Sequence, residues 1–220
     1  MRAMILAAGR GKRLRPLTDA TPKALIEVRG KPLVVHAIER LRAAGIGELV
    51  INLGWLGGRI RERLGDGSNF GVSIHYSDEG GTTLETCGGI VKALSLLGDA
   101  PFWVVNSDVL CDYPFAAHKL VMNDFAHVVL VGNPVYRTHG DFSLEAGRLR
   151  PPGTDALTFA GIGLYRPEFF AGEKAERKPL LPLLQRRIAD DCVSGEHYRG
   201  IWHDIGTPER LVAANESASP

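Results

Sequence analysis

Four basic side chains, Arg10, Lys12, Arg13 and Arg15, fall within six residues of the stretch LAAGRGKRLRPLTDATPK, which opens at Leu6 and closes on a fifth, Lys23. Gly9 and Gly11 sit among them. Glycines let backbone N–H groups come close to a bound group, and successive N–H groups make a concavity that suits phosphate oxygens. Arg13 can fork onto two phosphate oxygens, and Lys23 can act as a point charge on a third. Two aspartates, Asp108 and Asp204, each fall just past the expected end of a strand. A hard cation such as Mg²⁺ is held by one or two carboxylates together with substrate phosphates and water. A basic loop is also commonly a solvated one, and an aspartate after a strand is commonly a turn residue. Loop and aspartates taken together point to a polyphosphate with a divalent ion.

Composition narrows the class. Lys plus Arg numbers 26 and Asp plus Glu 25 in 220 residues, without the basic excess of a dedicated nucleic-acid binder. The charge of the opening segment is therefore local, as suits a small anion. No apolar run approaches the roughly 20 residues of a membrane span. The apolar stretch of MRAMILAAG is too short for a signal peptide, so a cytoplasmic protein with no membrane partner is expected. Cys87, Cys111 and Cys192 are odd in number and widely spaced, which excludes a disulfide framework or a paired-cysteine metal knuckle. Apolar residues at 45% and charged residues at 23% are ordinary for a globular domain.

These groups need a scaffold, and the chain alternates strand and helix patterns. Met4–Ala8 reads as a buried parallel strand, and Gly9–Thr21 as a loop without period. Ala24–Val28 reads as a short strand or turn. Pro32 stands where a first helical residue should, and Leu33, Val34, Ala37, Ile38, Leu41 and Ala44 follow at helical spacing up to Gly45. Strands are expected at Leu49–Leu53, Gly71–Tyr76 and Phe102–Asn106, and helices at Trp55–Leu64 and Thr86–Leu97. Beyond Asp108 the pattern predicts a helix around Phe115–Met122 and strands at His127–Val131, Asp141–Leu144, Leu157–Leu164 and Tyr198–His203. A helix over Pro179–Ala189 and a terminal helix from Pro208, capped by Thr207, complete the pattern. The alternation implies one α/β domain with a doubly wound sheet, whose ligands sit beyond the carboxyl ends of the strands.

The Walker phosphate-loop pattern, the dinucleotide fingerprint (position 14 is Leu) and the hydrolase nucleophile elbow are all absent. LAAGRGKRLRPLT…PK, with KPL at Lys31–Leu33, instead closely resembles the nucleotide-sugar pyrophosphorylases, the sugar-1-phosphate nucleotidylyltransferases. Their usual signature is L-A-A-G-x-G-T-R-L/M-x-P-L/M-T/S-x-x-x-P-K, and Lys12 here replaces the commonest Thr. LETCGGI (Leu84–Ile90), VVNSDVL (Val104–Leu110) and WHDIGTPE (Trp202–Glu209) match further segments of that family. The resemblance runs from Arg2 to about Leu211. It implies a Rossmann-like, doubly wound mixed sheet of the nucleotide-diphospho-sugar transferase (GT-A-like) type, with residues 1–220 as one catalytic domain and no C-terminal β-helix.

The resemblance also implies chemistry. A sugar 1-phosphate oxygen attacks the α-phosphorus of a nucleoside triphosphate in line, and pyrophosphate leaves. That oxygen is already anionic, so no general base is required, and the work is positioning and charge neutralisation. Arg13 and Lys23 are the implied catalytic residues. The implied nucleotide contacts are Leu6, Ala8, Gly9, Gly11, Lys12, Arg13, Lys23, Glu85 and Gly88, and Asp108 with Asp204 would ligate Mg²⁺. Asn106, Asp141 and Gly161 are implied on the sugar side, with Lys178 a further candidate for the sugar's charged phosphate or lactyl group, although it reads more readily as a solvated lysine before Pro179. Within the family, the pattern VNxDV…NP…GDF…TFAGI…VSGEHYRGxWxDIGT resembles most the short enzymes that join UMP to N-acetylmuramate 1-phosphate in cell-wall recycling. Other pairs stay open: glucose 1-phosphate with UTP or dTTP, or mannose or heptose 1-phosphate with GTP. So does a non-catalytic nucleotide-sugar sensor. A monomer is expected. His197 and His203 read as packing beside Tyr198 and Trp202, and Trp55 and Trp103 as core or its margin.

Overall fold

The apolar run after Met1 becomes β1 (Arg2–Leu6), the strand on which the rest of the sheet is hung. The computed structural model describes residues 1–81, 83–115 and 120–216. After the basic loop come α1 (Leu17–Ala20) and a small hairpin, β2 (Glu27–Val28) and β3 (Lys31–Pro32). Next are α2 (Leu33–Ala43), β4 (Glu48–Leu53), α3 (Gly57–Leu64), β5 (Ser73–Asp78), α4 (Glu85–Leu97), β6 (Phe102–Asn106) and β7 (Val109–Cys111). The second half holds β8 (Ala126–Val131), β9 (Ser143–Glu145), β10 (Arg148–Arg150), β11 (Thr158–Tyr165), α5 (Leu181–Ala189), β12 (Val193–Tyr198), β13 (Trp202–Asp204) and α6 (Pro208–Glu216).

Among the described residues, nine strands form one mixed sheet in the order β5-β4-β1-β6-β11-β8-β12-β10-β9. The strands β5, β4, β1 and β6 are parallel; β11 runs against β6 and against β8, and β12 runs parallel to β8. From β1 the chain goes to β4 and β5 on one side, then returns to β6 on the other. The crevice between β1 and β6 is therefore the topological switch point, where open α/β sheets bind ligands.

Strand alternation sends side chains to two cores. Ala3, Ile5, Leu49, Ile51, Trp103 and Val105 face the core under α2 and α3, where Ile38, Leu41 and Ile60 meet them. Met4, Val50, Phe102 and Val104 face the other core, under Ile90 and Leu97 of α4 and Leu184 and Ile188 of α5. A third, smaller cluster gathers Leu14, Ile26, Val28, Leu33, Leu110, Ile205 and Ala214. It fastens the basic loop, β7 and the start of the C-terminal segment to one another. Among the described residues no helix is long and apolar enough to cross a membrane, and all three cysteines are free and buried.

Several sequence expectations shift. Pro32 does not open a helix: it is extended, with φ −55° and ψ 139°, and belongs to β3. Trp55 and Leu56 precede α3 rather than starting it, because Leu56 adopts a left-handed conformation. The single strand expected over Tyr198–His203 is two strands: β12 pairs with β8 in the main sheet, and β13 pairs with β7 apart from it. The strand β7 is too short to give a periodic signal. Residues 116–119 of the helix expected around Phe115–Met122 lie outside the described residues. Phe115 and Leu120–Met122 at its flanks are not helical, and Phe115 is buried edge-on to Trp103, 5.4 Å between ring centres.

Trp103 is fully buried and also meets Tyr113 edge-on. Trp103→Ala is expected to destabilise the fold by about 3–5 kcal/mol. Urea unfolding should show a lower midpoint at an unchanged slope; a loss under about 1 kcal/mol would contradict this packing.

Candidate active site

Leu6, Asn52 and Asn106 stand in one row across the carboxyl ends of β1, β4 and β6, since Leu6 registers with both asparagines. Above this row lies a cavity of about 400 Å³, lined by Leu6, Ala8, Gly9, Gly11, Lys12, Arg13, Lys23 and Glu85 among others. Eight of the nine residues expected at the nucleotide thus converge. The ninth, Gly88, lines neither this cavity nor its neighbour: a side chain there would strike the Glu176 carbonyl, and its N–H meets Lys178 O at 3.3 Å. Its smallness serves the seating of the chain around Glu176–Lys178 against α4.

The basic loop holds its shape through contacts with other segments. Gly11 has φ +63°, and a β-carbon there would lie 2.9 Å from Thr18 Cγ2 and 3.0 Å from Lys23 Cβ, so glycine is required to bring the start and end of the loop together. The Thr18 hydroxyl donates to Gly11 O at 2.9 Å. Leu14 is fully buried in the third cluster and so fixes Arg13 beside it. Trp55, read from sequence as part of the core or its margin, is half-buried and clamps the loop from outside. Its indole N–H donates to Thr18 O at 3.0 Å, its backbone N–H to Ala8 O at 3.4 Å, and the Arg10 guanidinium lies 4.2 Å over its ring. Residue types carry no signal for this, because the left-handed Leu56 that takes Trp55 out of the helical pattern is visible only in the structure.

Lys23 Nζ is ion-paired with Asp108 Oδ2, and both side chains are largely buried. Asp204 lies across the β7–β13 pair, registered with Val109, while Ile205 N–H donates to Asp108 O at 2.9 Å. Arg210 Nη1 donates to Asp204 Oδ2 at 2.6 Å and lies 3.6 Å over the Tyr136 ring. A β-carbon on Gly206 would sit 3.0 Å from Asp204 Oδ1 and 3.1 Å from Arg13 Nη2. Arg13 and Asp204 therefore approach a common point.

Among the described residues no cluster of three His, Cys, Asp or Glu side chains could hold a metal alone. Two carboxylates, Asp108 just before β7 and Asp204 at the end of its partner β13, each with one oxygen free of hydrogen bonds among the described residues, fit a hard divalent ion that brings its remaining oxygen ligands from phosphate and water.

A second cavity of about 400 Å³ adjoins the first and shares Arg13, Thr86, Asn106 and Asp108 with it. Asp141, Gly161 and Asp204 line it, so all three expected sugar-side residues meet here. Gly161 has φ +73° at a bulge in β11, and a β-carbon would lie 2.6 Å from Asn106 Nδ2. Asp141 Oδ2 accepts from Phe159 N–H at 2.8 Å and from Arg137 Nη1 at 2.6 Å. Phe142, Phe159, Pro179, Leu180 and Leu184 make an apolar wall.

Other candidates are occupied elsewhere. Lys178 is ion-paired with Glu173, which also takes Arg186. Glu85 lines the first cavity but is tied to Arg177 at 2.9 Å, and it adopts φ +58° at the start of α4. His197 and His203 have their pKa values lowered chiefly by burial.

A family model described as nucleotidyl transferase matches residues 2–138. The chain is 49% identical to an N-acetylmuramate alpha-1-phosphate uridylyltransferase of Neisseria meningitidis, covering 99% of this chain and 98% of that one. It is 36% identical to a protein of the same name from Caulobacter vibrioides, over 96% and 94%. In fold it resembles a putative glucose-1-phosphate thymidylyltransferase from Bacillus anthracis, with TM-score 0.85, 22% identity, and 98% and 94% covered.

If Trp55 holds the loop ready for phosphates, Trp55→Ala should weaken the binding of inorganic pyrophosphate about tenfold by calorimetry. Trp55→Phe, which keeps the ring face for Arg10, should fall between. Equal affinity in all three proteins would contradict the clamp.

Proposed function

The chain belongs to the nucleotidyl transferase family and is a sugar-1-phosphate nucleotidylyltransferase, and on that footing we propose that it transfers UMP from UTP to N-acetylmuramate 1-phosphate, with Mg²⁺ as its divalent ion. The products are UDP-N-acetylmuramate and pyrophosphate. The observation that carries this reading is the pair of adjoining cavities, cationic on one side and apolar on the other, that share Arg13 and Asp108. The triphosphate takes the first, with its β- and γ-phosphates on Arg13 and the loop N–H groups. The sugar takes the second, where the apolar wall suits acetyl and lactyl methyl groups, and Asn106 and Asp141 suit hydroxyl and amide partners. The near full-length identity to the Neisseria uridylyltransferase supports the choice of pair.

The residues work by fixing charge and direction. Lys23, held by Asp108 at the junction of the cavities, neutralises the α-phosphate as charge builds there. Asn106 and Gly161 shape the floor on which the sugar phosphate sits, in line with that phosphorus. No side chain need take a proton, since the attacking oxygen is anionic. Mg²⁺, held by Asp108 and Asp204, would neutralise phosphate charge. A cytoplasmic enzyme of this kind would return recovered N-acetylmuramate to the cell-wall precursor pool.

A pyrophosphate-release assay across UTP, dTTP and GTP, each with N-acetylmuramate, glucose and mannose 1-phosphates, tests the proposal. Fastest turnover is expected for N-acetylmuramate 1-phosphate with UTP; preference for another pair would overturn the specificity. Lys23→Ala is expected to lower kcat about 10²–10³-fold while UTP affinity changes far less. Equal loss in both would make Lys23 a plain binding residue. Asp108→Ala should nearly abolish turnover at ordinary Mg²⁺, and retention of most of kcat would refute its role.

A further inference from the structure

Glu79 is buried in the first cavity, 7% exposed, and no role in transfer has fallen to it. It directly follows β5, its N–H bonded to Leu53 O at 2.8 Å. Its Oε1 accepts from Asn52 Nδ2 at 2.7 Å, and its Oε2 accepts from Leu84 N–H at 2.7 Å. Asn52 Oδ1 in turn accepts from Ala7 N–H at 2.7 Å. One chain of hydrogen bonds therefore runs from the backbone leaving β1, through Asn52 and Glu79, to the backbone entering α4.

The position is unusual for a carboxylate. A buried anion is costly unless its oxygens are hydrogen-bonded or paired with a cation, and among the described residues no basic side chain pairs with Glu79. A negative charge in a triphosphate cavity must also stand clear of the phosphates. The strand order β5-β4-β1-β6 puts Glu79 on the far side of β4 and β1 from Asp108 and Lys23. That end of the cavity is the one left for the uncharged nucleoside.

We infer that Glu79 is the positioning residue of the nucleoside slot: its carboxylate sets the spacing between the Ala7–Gly9 and Leu84–Glu85 backbones, which form the two walls between which the base is read. The inference rests on the nucleotide reading of the first cavity. It also accounts for Gly89, where a β-carbon would lie 2.5 Å from Glu79 Oε1 and 3.1 Å from Asn52 Nδ2. Glycine at that point of α4 leaves the carboxylate its place. Glu85, by contrast, faces Arg177 and does not join the network.

Glu79→Gln keeps the shape but offers one oxygen where two N–H groups require acceptors. Its KM for UTP is expected to rise about tenfold with kcat within about threefold, and the preference for UTP over GTP should fall. Calorimetric UTP affinity, measured without sugar phosphate, should drop in parallel. Gly89→Ala keeps every network group but crowds the carboxylate, and it should give the same signature; it decides the matter if Glu79→Gln does not fold. Wild-type UTP affinity and base preference in a folded variant, with only the melting temperature lowered, would reduce Glu79 to a structural part and overturn the inference. Failure of the unaltered protein to bind UTP would instead overturn the nucleotide reading on which it rests.

Discussion

A nucleoside triphosphate and a sugar 1-phosphate repel each other, and their reacting atoms meet only where compensating charge is fixed before either arrives. That constraint explains why the basic groups lie on the rim of β1 and β6, and why they are tethered. Lys23 is long and would otherwise sample many rotamers; its pairing with Asp108 holds it at the junction of the two cavities. The same carboxylate lines both cavities, so the charge that orients the lysine also belongs to the pair suited to a divalent ion.

The charges are placed by apolar neighbours. Arg13 precedes buried Leu14, Asp204 precedes buried Ile205, and Asp108 stands two residues before buried Leu110. Leu14, Ile205 and Leu110 share one small cluster. Apolar burial, which is non-directional and is not screened by counter-ions as ion pairs are, thus brings three charged groups from distant parts of the chain to one point. Around them, hydrogen bonds do the finer setting: Trp55 on the loop, Arg210 on Asp204, and Arg137 and Phe159 N–H on Asp141.

Much of this was legible in the sequence because motif and fold agree there. The apolar runs of β1, β4 and β6 face cores on both sides, so they read as buried strands without needing alternation. The basic loop and the two aspartates carry their chemistry in their residue types. What escaped was set by tertiary contact. The turn at Leu56 frees Trp55 from a helical pattern that its neighbours support. The short strands β7 and β13 exist only because they pair with each other. Lys178 looked available but is drawn to Glu173, and no motif in the sequence marked Glu79, whose two donors come from residues 27 before it and five after it.

The most direct measurement is a structure of the protein soaked with a non-hydrolysable UTP analogue, N-acetylmuramate 1-phosphate and magnesium. The account predicts triphosphate oxygens within hydrogen-bonding distance of Arg13 and Lys23, with the sugar ring over Asn106 and Gly161. A triphosphate bound away from the switch point, with the Gly9–Gly11 turn touching no phosphate, would contradict it.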